Sequence, residues 1–183
     1  MPVLRFREDK ATQAAARFLK LRGGRMSYLK LMKLMYLADR QALLRLGRPI
    51  SFDSYVSMDN GRVLSRTLDL ITSEPDPEKQ SYWGEYISAP NDYCVELRSE
   101  APADQLSPAE EAIIAEVFGQ FGRMNRWDLV RHTHTLPEFR DPGSSSVPIE
   151  LAEILRSGGY SDEDIEAIVG ALSAEAYIER LAG

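Results

Sequence analysis

The sequence predicts a mostly α fold with a small β-hairpin, an α+β arrangement in a single compact domain spanning residues 1–183 and built around one central buried helix at about 27–46. Three observations carry this. The stretch from Ser27 to Leu46 is apolar nearly all round, the mark of a helix enclosed by others. Only one segment, Tyr82 to Arg98, alternates with a period of two, as a β-hairpin does. Elsewhere, glycines, prolines and capping residues cut the chain into helix-length pieces, with no linker long enough to separate two domains.

A first helix is expected from about Asp9 to Arg22, with Ala11, Ala14, Ala15, Phe18 and Leu19 on its apolar face and Gly23-Gly24 as its stop. The central helix opens at Ser27, whose hydroxyl can accept from a free amide of the first turn, and ends before Gly47. Its polar residues, Lys30, Lys33, Arg40, Gln41 and Arg45, form a narrow stripe. An extended piece, ISFDSYVSM, leads to a turn at Asp59-Asn60-Gly61, and a helix is expected from Val63 to Thr72. The hairpin follows at Tyr82–Arg98, with turn chemistry at Pro90-Asn91-Asp92. Ser107-Pro108 with Glu110 reads as a capping box with proline in the first turn, opening a helix to Phe121. Asn125 opens another that fails at Pro137; further helices are expected from Pro148 to Arg156 and from Ser161 onward.

Composition is that of a globular chain, 44% hydrophobic and 27% charged. The start, MPVLRFREDK, lacks the pattern of a secretory leader, charges interrupt every apolar run, and Cys94 is the only cysteine. The expectation is a cytoplasmic protein with no membrane partner. The net charge of -6 hides an asymmetry: residues 1–66 carry 14 Lys+Arg against 5 Asp+Glu, and the remainder is strongly acidic. Either the halves neutralise each other in the fold, or the basic half forms a face for nucleic acid or an acidic partner.

Phosphate-binding loops and the common hydrolase signatures are absent. His132 and His134 are the only histidines; two positions apart on a helix they diverge and cannot grip one metal. No cofactor, metal or catalytic residue is expected. One residue is anomalous: Asp39 lies at helical spacing from Tyr28, Met32, Met35 and Leu43, where a carboxylate is costly unless hydrogen-bonded or paired. An arginine or the Thr133-His134 segment is its expected partner.

Three runs, KLMKLMYLADR, SFDSYVSMDNGRVLSRTLDLI and LVRHTHTLPEFRD, resemble in kind and order the Panacea (SocA-like antitoxin) family. Lys33, Leu34, Tyr36 and Ala38 match its helix motif; Gly61, Val63, Ser65, Leu68 and Leu70 its second element; Thr133, His134, Pro137 and Phe139 its third. Arg62 stands where the family usually has proline, and Phe139 where tryptophan is common. The resemblance implies a non-enzymatic antitoxin that neutralises a toxin by direct binding, in the SocA case as an adaptor that hands the toxin to a cytoplasmic protease. The alternatives are a nucleic-acid or other binding module using the basic half, for which no helix-turn-helix is evident, and an enzyme with a site around Asp39. Exposed turns and hairpin edges are the expected toxin contacts: Tyr55, Asp59, Arg62, Trp83 and Tyr86. Asp39, Ser65 and His134 are expected to be buried polar groups with structural roles.

Overall fold

The structure is a computed structural model that describes residues 4–74 and 76–183, the side chain of Arg62 excepted. Among the described residues the chain forms α1 (Glu8–Arg22), β1 (Arg25–Ser27), α2 (Tyr28–Leu46), β2 (Tyr55–Met58), β3 (Gly61–Leu64), α3 (Ser65–Thr72), α4 (Tyr82–Tyr86), β4 (Cys94–Glu96), α5 (Pro108–Phe121), α6 (Arg126–His134), β5 (Val147–Ile149), α7 (Leu151–Ser157) and α8 (Asp162–Ala182). This is the α-rich fold with a minor antiparallel β component that the sequence predicts.

Helix α2 is the hub. It touches α1, α3, α5, α6, α7, β1 and β3, and Leu31, Leu34, Tyr36, Ala42 and Leu43 are fully buried. Its ends lie where local chemistry puts them: the Ser27 hydroxyl accepts from the Lys30 amide at 3.2 Å, and Gly47 closes the helix at φ 70°. The polar stripe divides: Arg45 is exposed at the C-terminal end of the helix, whereas the two lysines of the N-terminal half are interior. Lys33 is fully buried, and Lys30 donates to the Gly122 carbonyl at 2.6 Å. That bond satisfies the C-terminal end of α5, and burial, with a smaller contribution from the Arg22 charge, holds the Lys30 pKa below its ordinary value.

The β structure departs from the expected hairpin. Residues 82–86 form a short helix, α4, because the Ser81 hydroxyl caps the Gly84 amide at 3.0 Å while Trp83 drops into the core against α1. Strand β4 pairs antiparallel with β1, matching Met26 to Val95, and the expected hairpin persists as an irregular antiparallel pairing of 86–91 with 94–98, with bridges at Ile87–Leu97 and Asn91–Cys94 and amide bonds from Ser88 to Glu96 and from Arg98 to Tyr86. The alternation in 93–98 therefore reflects two partners, β1 about seventy residues earlier and the 86–91 stretch just before it. The regular hairpin is β2–β3, with β5 on the other edge of β2. Val63 and Leu64 belong to this sheet, so α3 starts only at Ser65, and Pro148 lies in β5 rather than opening α7.

The charge asymmetry is spent across the fold. Lys10 pairs with Glu110 (2.7 Å), Arg25 with Glu96 (2.6 Å), Arg40 with Glu138 (2.8 Å), Arg45 with Glu116 (2.7 Å) and Arg48 with Glu175 (2.7 Å), and Lys20 with Glu100. Each pair joins the basic half to the acidic half. No helix among the described residues is long and apolar enough to cross a membrane.

Candidate functional site

Two buried aspartates set the position of the β2–β3 hairpin. Asp39 Oδ1 accepts from the Ile50 and Ser51 amides at 3.1 Å each, and Oδ2 accepts from the Tyr55 hydroxyl at 2.8 Å and from the Ser51 hydroxyl. The partners are thus hydroxyls and amides of the 50–55 segment, not the arginine or the Thr133-His134 segment expected from the sequence. The physical reason is proximity: the chain leaving α2 at Gly47 doubles back past the carboxylate, with Phe52 held at φ 55°. Burial, with a smaller push from the Asp53 charge, raises the Asp39 pKa to about 6, against the hydrogen bonds from Ser51 and Tyr55 that lower it. Asp53 then accepts from the Arg66 amide at 2.8 Å and the Thr67 amide at 2.9 Å, capping α3 from outside the helix. One carboxylate fixes the entry of the hairpin and the other its exit.

At the far end of the hairpin, Gly61 follows the Asp59-Asn60 turn at φ 85°. A Cβ at position 61 would lie 2.9 Å from Lys33 Nζ, 3.1 Å from His134 Nε2 and 3.1 Å from Thr133 Oγ1. Glycine is required here on two counts, backbone conformation and space. Three stretches far apart in sequence, Lys33 of α2, Gly61 of β3 and Thr133-His134 of α6, meet at this point. Beside it, the His134 ring stacks on Phe139 with centroids 4.4 Å apart. Glu138 accepts from the Tyr36 hydroxyl at 2.8 Å and from Arg40 Nε at 2.8 Å, and Arg40 also reaches Ser157 of α7 at 3.1 Å. Burial alone would raise the Glu138 pKa, but the Arg40 guanidinium and these hydrogen bonds hold it below the usual glutamate value. Turn residues Met58, Asp59 and Asn60 protrude into solvent above this buried platform.

Among the expected partner residues whose side chains are described, only Asp59 is exposed. Tyr55 and Trp83 are corrections: they are 3% and 2% exposed, because Tyr55 bonds Asp39 and packs edge-on to Tyr36 while Trp83 anchors α4. Tyr86 is half-buried, edge-on to Tyr82, and borders a hollow of about 920 Å³ between α1 and the 97–106 segment, away from the hairpin. The Arg62 side chain lies outside the described residues. Ser65 and His134 are half-buried rather than buried, since Ser65 opens α3 at the surface and His134 ends α6. Thr67 and Thr133, each fully buried, take the enclosed positions instead. The sequence reading missed Asp53, Lys33 as a buried group, and Glu138. A signal existed for Glu138, a carboxylate between Pro137 and Phe139 in the third matching element; none existed for Asp53.

The family model described as "Antitoxin SocA-like, Panacea domain" matches residues 31–138, more than half of the chain, and the chain belongs to that family. The matched span runs from α2 to Glu138 and takes in Lys33, Gly61, Thr133 and His134. Comparison with curated proteins and with solved structures finds no match.

Proposed function

We propose that this protein is a non-enzymatic antitoxin that binds its toxin directly through the tip of the β2–β3 hairpin. The observation that carries the reading is the convergence of Lys33, Gly61 and Thr133-His134 beneath that tip, within the stretch matched by the antitoxin family. A buried polar platform from two helices fixes a short hairpin rigidly, and a preformed tip binds without a large ordering cost. Met58, 38% exposed, supplies an adaptable apolar contact, and Asp59 and Asn60 supply hydrogen-bonding groups. Asp39 serves the same end: its carboxylate is committed to four donors that hold the hairpin base, which argues for a positioning role over acid–base chemistry. The ion pairs between the two halves occupy cations that a nucleic-acid face would need free.

Co-expression with the product of the neighbouring gene tests the reading: growth is rescued and the two proteins co-purify. Met58→Asp combined with Asp59→Lys weakens the complex by roughly 2 kcal/mol or more with the melting temperature unchanged. Full affinity in that variant removes the tip from the interface. Toxin half-life, measured with and without the antitoxin in cells, separates delivery to a cytoplasmic protease, which shortens it, from simple blocking, which does not.

A further inference from the structure

Helix α8 buries only a narrow face, chiefly Ile165, Leu172 and Ala176, against the rest of the fold. Its opposite face is apolar and open to solvent. Ala167, Ala171, Ala174, Ile178 and Leu181 recur at spacings of four and three, and all are exposed. Tyr177, Ile178 and Leu181 are 59%, 64% and 72% exposed, which makes them, with Tyr93 at 68%, the most exposed large apolar side chains among the described residues. Such a seam is the pattern of a helix that packs against another helix.

The seam is graded in size. Its N-terminal half is small, Ala167, Gly170 and Ala171; its C-terminal half is large, Tyr177, Ile178 and Leu181; Ala174 lies midway. Set antiparallel against a copy of itself about Ala174, position 167 faces 181, 170 faces 178 and 171 faces 177. Every small residue then meets a large one, twice over by symmetry. A parallel pairing would instead clash at one end and gap at the other.

Two independent features fit the same occupant. Gly170 sits in mid-helix with no atom of the described residues near the place a Cβ would take and without a positive φ, so nothing among the described residues requires the glycine, although it weakens the helix. And the small half of the seam borders a shallow hollow of about 380 Å³, walled by Leu46, itself 41% exposed, and lined by Ala167 and Ala171. In the antiparallel pair the partner's Leu181 enters this hollow.

We propose that the exposed face of α8 is a homodimer interface in which two copies pack their α8 helices antiparallel across a two-fold axis near Ala174. The seam is about 21 Å long at the α-helical rise. A single helix pair of that length covers less than the ~800 Å² per partner of a standard interface, so the dimer forms reversibly, with a dissociation constant on the order of micromolar. The inference is independent of the antitoxin reading.

Sedimentation velocity of the full chain over a concentration series reads the equilibrium directly. A dimer is expected, with Ala174→Arg weakening it by about tenfold or more and leaving the circular-dichroism melt unchanged, because position 174 is exposed. In a Cys94→Ser background, Ala167→Cys mixed with Leu181→Cys forms a disulfide-linked heterodimer, whereas either variant alone does not. A chain that stays monomeric to about 1 mM overturns the proposal. So does a dimer indifferent to Ala174→Arg, or cross-linking within each single variant instead of between the two.

Discussion

Asp39 illustrates how one side chain carries more than its own stability. Asp39→Ala strands the Ile50 and Ser51 amides and the Ser51 and Tyr55 hydroxyls, and is expected to cost about 3 kcal/mol by chemical denaturation. Its pKa of about 6 lies above the ordinary 3.8, so folding favours the protonated acid. The stability this adds is fully present below pH ~3.8 and is lost as pH rises through about 6, a span of about 3 kcal/mol at 1.36 kcal/mol per unit. Glu138 works in the opposite sense: its pKa is held low, so its contribution is present above the usual glutamate value and lost as pH falls through the lowered one. The checkable outcome is a difference curve. Between pH 7 and pH 4, wild type gains stability relative to Asp39→Asn and loses stability relative to Glu138→Gln. At Gly61 the constraint is steric. Gly61→Ala places a methyl 2.9 Å from the Lys33 ammonium nitrogen at an unfavourable φ, for a loss of roughly 2 kcal/mol, seen as a lower melting temperature.

Among the elements, those with ends set by local chemistry are the ones the sequence shows clearly. Helix α5 begins with a capping box in which Ser107 and Glu110 satisfy each other's amides, and Lys10 of α1 reaches the same glutamate at 2.7 Å. That ion pair is almost enclosed, so it ties α1 to the start of α5. Ser107→Ala is expected to cost about 1 kcal/mol, whereas Lys10→Met, which leaves the buried Glu110 without its cation, costs more, roughly 3 kcal/mol. Equal denaturation midpoints for the two variants would show that the cap, not the ion pair, carries this junction. Elements defined by pairing read less well. The strand at 94–96 is legible as a strand, but its mate β1 is three residues long and carries no period that announces it. Strand β3 hides in a run that reads equally as the first turn of α3, because Val63 and Leu64 suit a buried position in either.

Across the whole molecule, the separation of charge between the halves becomes a set of ion pairs drawn across the fold. Most of these pairs are exposed and individually weak. High salt is accordingly expected to lower the melting temperature only slightly, while Lys10–Glu110 and Arg40–Glu138, largely shielded, persist. What the sequence determined by itself is what depends on near neighbours: the helix ends at Ser27, Gly47 and Ser107, the all-round apolar character of α2, and the kinship carried by three short runs. A capping hydroxyl and a helical period act over a few residues, so they are written locally. What the tertiary structure decided is what depends on distance. Lys30 and Lys33 of α2 are interior, Tyr55 and Trp83 are buried, and Lys33, Gly61 and Thr133-His134 form one place instead of three. Whether a polar or aromatic side chain faces solvent depends on which other elements close over it, and those elements lie tens of residues away along the chain.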